Sequence, residues 1–311
     1  MLKRVIIFFS KKIHKIIDAT IKNKTSNYKI KKKLRKFARF TIRNFFHNVR
    51  LRILYYFLFK KKLAELLFIT TNDTKGKKLY DIYIILENLI ERKSVKKILE
   101  IGIGGHQHEY IGGETLRGLK FFFKNAYIYA IDIMEKSFLD SRSVKTLICN
   151  EGDKSKMSEI SNQIGNLDLI IDDGSHLPKN QISNFEIFFE KLNDGGVYII
   201  EDLWYSYLSG GGGDPKLSYQ KNIVSYLSFY IHNTQSDMLI KEEMEKIIKY
   251  KNIGRIFFLN EGIIIQKKIK SEKVMSNDYA YLSLEELSKK TTRKQDKILP
   301  SGLHVYNVNK D

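Results

Sequence analysis

A single cysteine, Cys149, in 311 residues excludes an internal disulfide and a cysteine-based zinc site, and suits a reducing compartment. No apolar run approaches the roughly 20 residues that a helix needs to span a bilayer. The candidates, Val5–Phe9 and Leu51–Phe59, are far shorter. The opening MLKRVIIFFSKK reads as no secretory signal, because its apolar core is five residues long and no small-residue cleavage site follows. There is no internal repeat and no low-complexity tract beyond Gly210–Gly213. Acids are nearly missing from residues 1–62, which hold only Asp18 against 20 Lys and Arg, whereas the remainder balances at 34 bases and 34 acids. The net charge of +19 is therefore an N-terminal property.

That basic region has helical periodicity. Val5, Phe9, Ile13 and Ile16/Ile17 share one face, and Leu34, Phe37/Ala38, Thr41/Ile42, Phe45 and Val49 repeat the pattern with Lys and Arg around them. Basic amphipathic helices lie on anionic lipid surfaces, or pack on a protein body with their lysines solvated, and the pattern fits both. Nucleic acid is a weaker third partner, because no reader motif accompanies the charge.

Chemistry concentrates between Leu167 and Leu203. Two apolar runs, Leu167–Ile171 and Val197–Ile200, have strand composition, and the segment between them has the length of a βαβ crossover. Each run ends in acids, Asp172-Asp173 and Glu201-Asp202, at the edge where open α/β sheets bind ligands. Four carboxylates so close repel one another unless a cation neutralises them, and a hard divalent ion with oxygen ligands, most simply Mg²⁺, meets that need. His176, three residues after Asp173, is then the candidate base, since imidazole takes a proton near neutral pH. Acids after strands also serve as helix caps and turn residues, and Asp172 in particular could simply brace its loop.

Upstream the pattern is regular. Thr70–Lys78 reads as a linker and Leu79–Ile90 as a helix. Lys97–Ile101 is a short strand, followed by the turn Gly102-Ile103-Gly104-Gly105, whose glycines let backbone approach a ligand. His106 and His108 alternate in the next loop, but no third soft ligand lies nearby, and a solvated loop is the preferred reading. A helix is predicted from about Glu114 to Lys124, and a strand over Tyr127–Ile131 ending in Asp132, where an acid accepts hydrogen bonds from ribose hydroxyls. Val144–Cys149 is a third strand, followed by Glu151-Gly152-Asp153 and a helix over Lys154–Ile164. Trp204 sits beside the proposed cation, where its ring could stack on a sugar, and the glycine run reads as a lid or a plain surface loop. Tyr219–Lys249 reads as helix with Ile223, Leu227 and Ile231 on one face. Arg255–Leu259 and Ile263–Gln266 form a hairpin, and Ser271–Asp311 is a polar tail.

Alternating strands and helices closed by a hairpin predict an α/β fold: a doubly wound, mostly parallel sheet with an antiparallel C-terminal edge hairpin, preceded by a basic helical region. The expected divisions are 1–69, 70–268 and 269–311. This arrangement resembles the class I S-adenosylmethionine-dependent methyltransferases, and within them the metal-dependent sugar O-methyltransferases of the macrocin and mycinamicin type. The likeness is carried by EIGIGG at Glu100–Gly105, GGETLRGLKFFF at Gly112–Phe123, IDI around Asp132, EGD at Glu151–Asp153, IDDGSH at Ile171–His176 and IIEDL at Ile199–Leu203. The resemblance implies that Glu100, Gly102 and Gly104 hold the methionine side of S-adenosylmethionine, Asp132 its ribose and Asp153 its adenine edge. It further implies that Asp173, Glu201 and Asp202 bind Mg²⁺ and that His176 deprotonates the acceptor.

The expected activity is methylation of a hydroxyl on a sugar or glycoconjugate, in the cytoplasm, with peripheral membrane contact through residues 1–62 and homo-oligomer formation both compatible with the sequence. Two alternatives are RNA methylation using the basic N-terminus and a membrane-attached, non-catalytic scaffold. The acid cluster argues against the scaffold, which has no use for converging carboxylates.

Overall fold

The computed structural model describes residues 62–70, 79–105, 111–216, 222–233 and 251–269, with scattered helical positions between 12 and 38. Most of the basic region, the Thr70–Lys78 linker beyond Thr70, His106 and His108, most of Tyr219–Lys249 and the polar tail lie outside the described residues. No helix among the described residues is long and apolar enough to cross a membrane.

Helices α1 (Leu63–Thr70) and α2 (Tyr80–Leu89) precede strand β1 (Lys97–Ile101). There follow α3 (Glu114–Phe122), β2 (Tyr127–Asp132), β3 (Val144–Ile148), α4 (Lys154–Ile164), β4 (Leu167–Asp172), α5 (Pro178–Phe188) and β5 (Leu192–Glu201). Short helices α6 (Ile223–Ser228) and α7 (Tyr230–Asn233) then lead to β6 (Ile253–Phe258) and β7 (Gly262–Lys267). The seven strands form one sheet in the order β3-β2-β1-β4-β5-β7-β6. Strands β1 to β5 are parallel, and β7 runs antiparallel to both β5 and β6. The order reverses direction between β1 and β4, whose ends meet as Ile101 opposite Asp172. This is the switch point where α/β sheets open a ligand crevice.

Both faces are covered, so the strands read as continuous apolar runs. Period-two alternation divides them. Ile98, Ile128, Leu169, Ile171, Val197, Ile199 and Ile264 pack with Leu63, Leu67, Ile82, Leu86 and Leu119 on the side of α1, α2 and α3. Leu99, Ile101, Ile131, Ile170, Tyr198, Ile200, Ile263 and Ile265 pack with Met157, Ile160, Phe185, Phe188, Ile223 and Leu227 on the side of α4, α5 and α6. Helix α1 belongs to this packing although nearly all of it falls within the first expected division, 1–69. A Cβ on Gly118 of α3 would lie 2.6 Å from Leu67 Cδ2.

Local signals explain most boundaries. Asp153 caps α4 by accepting from Lys156 N at 3.0 Å, Asn222 caps α6 through Val224 N and Ser225 N, and Pro178 opens α5 at a position with no donor to lose. Three expectations need correction. Strand β5 begins at Leu192, five residues before the predicted Val197, because Asn193 is tied to Asp168 at 2.7 Å and the turn-like Asn193–Gly196 is absorbed as an irregularity of register. Ile231 is 67% exposed, unlike the buried Ile223 and Leu227, and lies in α7 beyond the break at Phe229. The third strand ends at Ile148, before Cys149.

Phe188 is fully buried under the sheet. Phe188→Ala is expected to lower unfolding free energy by about 3–5 kcal/mol, read from urea denaturation, with the secondary-structure signal of the folded state unchanged.

Candidate active site

Backbone contacts at the sheet edge bring the site together. Gly102 N donates to Ile131 O at 2.8 Å and Asp173 N to Ile101 O at 2.9 Å, so the end of β1 is stitched to both neighbours. Gly102 has φ +86°, and a Cβ there would sit 2.1 Å from Asp173 O. Only glycine permits that approach. Gly112, with φ +115°, closes the far end of the same turn, where a Cβ would lie 2.5 Å from Gly104 O.

Asp132 at the end of β2 accepts from Ile103 N at 2.9 Å and Met134 N at 2.8 Å, one bond on each oxygen. Its carboxylate thus shapes the glycine turn and keeps lone pairs for a further donor. Lys136, 1% exposed, donates to Ile111 O at 2.9 Å and ties the loop after β2 to the turn before α3. Burial lowers its pKa against the opposing pull of Asp132 and Glu114.

These loops border a cleft of about 810 Å³. One wall is Gly102, Gly104, Gly105 and Asp132. Another is Cys149, Asn150 and Glu151, and the third is Asp173–His176 with Glu201 and Asp202. A second cavity of about 480 Å³ lies at the β3 edge between α3 and Phe138, lined by Arg117, Lys120 and Lys124. No acid or histidine lines it.

At the third wall Asp173, His176 and Asp202 each offer a ligand atom within 4.8 Å of the others. His176 Nε2 is 3.4 Å from Asp202 Oδ2. His176 and Asp202 have φ of +58° and +57°, the two positive values among the described non-glycine residues. A left-handed residue that is not glycine costs about 1–2 kcal/mol, so the surroundings hold both side chains at this wall against local preference. The two carboxylates offer hard oxygens that a divalent cation accepts, and the imidazole stands beside them at the same cleft wall.

Strand alternation sorts the remaining acids. Glu201, fully buried, points to the α2 side, where Tyr83 OH donates to its Oε1 at 2.5 Å. It borders the cleft but is not one of the three converging groups. Asp172 points to the opposite face of the sheet. It accepts from Tyr198 OH at 3.1 Å and Asn184 Nδ2 at 3.2 Å. The expected convergence of four carboxylates is therefore corrected: Asp172 faces away from the cleft. Burial, with Glu151 nearby, pushes its carboxyl up to about 8. Tyr198 is likewise raised, by burial and then by Asp172.

Two further residues assigned to the cofactor sit behind the cleft. Glu100 is 1% exposed on β1, and Asp153 is engaged as the α4 cap; neither lines the cavity. The acid of that loop that does reach the cleft is Glu151. Nothing in the sequence distinguished it from Asp153 beyond position. Tyr83 was equally hidden, because its contact with Glu201 spans 118 residues.

The turn after Asp202 is aromatic. Trp204, 50% exposed, lies 4.1 Å from the Tyr205 ring, which is 5.2 Å from His176. The glycine run folds back on this turn through Gly213 N to Leu208 O at 3.0 Å and Asp214 N to Ser206 O at 2.9 Å.

No protein-family model matches the chain. Demethylmacrocin O-methyltransferase of Streptomyces fradiae is 40% identical over 123 residues, which is 40% of this chain and 31% of that protein. Mycinamicin VI 2''-O-methyltransferase of Micromonospora griseorubida is 39% identical over 127 residues, 40% of this chain and 32% of that one. The chain thus spans about a third of the length of the curated relatives it matches. Among solved structures, MycE methyltransferase from the mycinamycin biosynthetic pathway, in complex with Mg, SAH and mycinamycin VI, aligns with a TM-score of 0.64 and 27% identity over 75% of this chain and 60% of that one. The seven-stranded sheet is that of the class I S-adenosylmethionine-dependent methyltransferases.

The folded chain keeps the Asp172 proton up to about pH 8, whereas an unfolded one releases it near 3.8. Folding takes up a proton between those values, so stability falls as pH rises through them, by about 1.4 kcal/mol per unit at most. Urea midpoints measured from pH 5 to 8 should show this slope, and Asp172→Asn should flatten it.

Proposed function

We propose that this protein is an S-adenosylmethionine-dependent, Mg²⁺-dependent O-methyltransferase that acts on a hydroxyl of a sugar or glycoconjugate, with His176 as general base. The observation that carries this reading is the meeting of Asp173, His176 and Asp202 across one cleft from the glycine turn and Asp132. When bound, S-adenosylmethionine supplies an electrophilic methyl group, and the divalent ion polarises neighbouring hydroxyls and stabilises the developing alkoxide.

The residues divide the remaining work. Gly102 and Gly104 admit the methionine side of the cofactor to the backbone, and Asp132 faces its ribose. Glu100 and Asp153 support that wall from behind, by packing and by capping. Asp173 and Asp202 offer hard oxygens to the ion, and Glu201, held by Tyr83, completes the acidic side. His176 takes the acceptor proton at Nε2, where the charge it gains lies beside the Asp202 carboxylate. Methyl transfer is an in-line displacement, so alignment and proton removal are what the protein must provide.

Support for a glycosyl acceptor comes from a relative in Streptomyces olivaceus named 8-demethyl-8-alpha-L-rhamnosyl tetracenomycin-C 2'-O-methyltransferase, and from the exposed Trp204, which packs on the Tyr205 ring that neighbours His176 and whose flat face suits the apolar side of a pyranose. Such an acceptor also presents the vicinal oxygens that a cation grips.

The test is transfer of labelled methyl from S-adenosylmethionine to a panel of glycosylated acceptors, with Mg²⁺ and with EDTA. Chelation should abolish turnover and added Mg²⁺ restore it, and His176→Ala should lower kcat by about 10²–10⁴-fold while S-adenosylhomocysteine still binds. Full activity in EDTA would overturn the cation assignment. Undiminished turnover in the histidine variant would remove the base.

A further inference from the structure

Asp173 and His176 sit on one four-residue loop, and their positions depend on what fixes its backbone. The upper end is tied by Asp173 N to Ile101 O at 2.9 Å. Beneath, Ser175 N donates to Glu151 Oε1, and Asn184 Nδ2 donates to Glu151 Oε2 at 3.1 Å. The same amide nitrogen reaches Asp172 at 3.2 Å. Ser175 Oγ in turn accepts from Asn180 Nδ2 at 3.0 Å and from Leu177 N at 3.3 Å. At Gly174 a Cβ would fall 2.6 Å from Glu151 Oε2, so this carboxylate lies directly against the loop backbone.

Glu151 arrives from the loop after β3, three places along the sheet from β4, and so reaches past the ends of β2 and β1. Among the described residues it makes no ion pair; its oxygens are engaged by a backbone N–H and a side-chain amide.

We propose that Glu151 is a positioning residue for the cation-binding loop: by gripping the backbone at Gly174 and Ser175 it keeps Asp173 and His176 within reach of Asp202. This rests on the cation reading of the site. A glutamine at 151 could still accept from Ser175 N, but its amide nitrogen would then oppose that of Asn184, donor against donor. Removing the charge alone therefore breaks half of the grip. Outer-shell groups that orient metal ligands typically change metal affinity about 10–100-fold when lost.

The experiment is calorimetric titration of Mn²⁺ into the full chain, for wild type, Glu151→Gln, Glu151→Ala and Gly174→Ala, with thermal unfolding recorded. Gly174→Ala disturbs the same contact from the loop side, so one variant that fails to fold leaves another to read. Mn²⁺ affinity should fall about tenfold or more in each folded variant, while the unfolding temperature stays close to wild type. Wild-type Mn²⁺ affinity in Glu151→Gln and Glu151→Ala would overturn the positioning role. A fall in Mn²⁺ affinity matched by a fall in unfolding temperature would do so too, by marking a general structural part. A wild-type protein that does not bind Mn²⁺ would instead defeat the cation reading itself.

Discussion

Mutual repulsion of carboxylates is the constraint on which this sheet edge depends, and the pleat of the strands resolves it. Asp172 and Glu201 both belong to strands, and alternation sends them to opposite faces, one towards α5 and one towards α2. Each finds neutral donors there, Tyr198 and Asn184 for Asp172, Tyr83 for Glu201. Asp173 and Asp202 lie one residue further on, beyond the strands, where they face the cleft with His176. Two acids are thereby left to attract a cation, a third stands close behind, and the fourth is kept neutral by burial.

Local preference is overridden where the chemistry requires it. His176 and Asp202 hold left-handed backbones without being glycine. Glycine is used where close approach leaves no choice, as at Gly102 against Asp173. The strain is sustained because neighbouring backbone is fixed independently: Asp202 N donates to Glu261 O at 2.9 Å, and Ser175 is held on both its nitrogen and its hydroxyl.

Much of this was legible in the sequence because it rests on short-range rules. The strand Lys97–Ile101 and the helix Lys154–Ile164 are found where period and capping residues predict them. The pairing of β4 with β5 follows from their spacing; the glycine turn was legible as a place of close approach, read as approach to a ligand, whereas at Gly102 the near neighbour is Asp173 O. What escaped depends on contacts between distant segments. Asp172 and Asp173 are adjacent acids, and only the last ladder position of β4 separates their directions. Tyr83 looks like one more apolar residue of α2 until Glu201 is set beside it. Glu151 and Asp153 are indistinguishable in a string, yet one caps a helix and the other holds a loop arriving from β4. The early start of β5 was masked by Asn193–Gly196, whose turn composition is overridden by its tie to Asp168.

The brace on Asp202 has a temporal consequence. Its backbone is held by Glu261, and the strand that ends in Glu201 pairs with β7 from Gly262 onward. A chain emerging from the ribosome exposes the glycine turn, Asp173 and Asp202 well before that hairpin has been made. The wall that gathers the acids is thus completed by backbone that lies some sixty residues further along the chain than Asp202 itself.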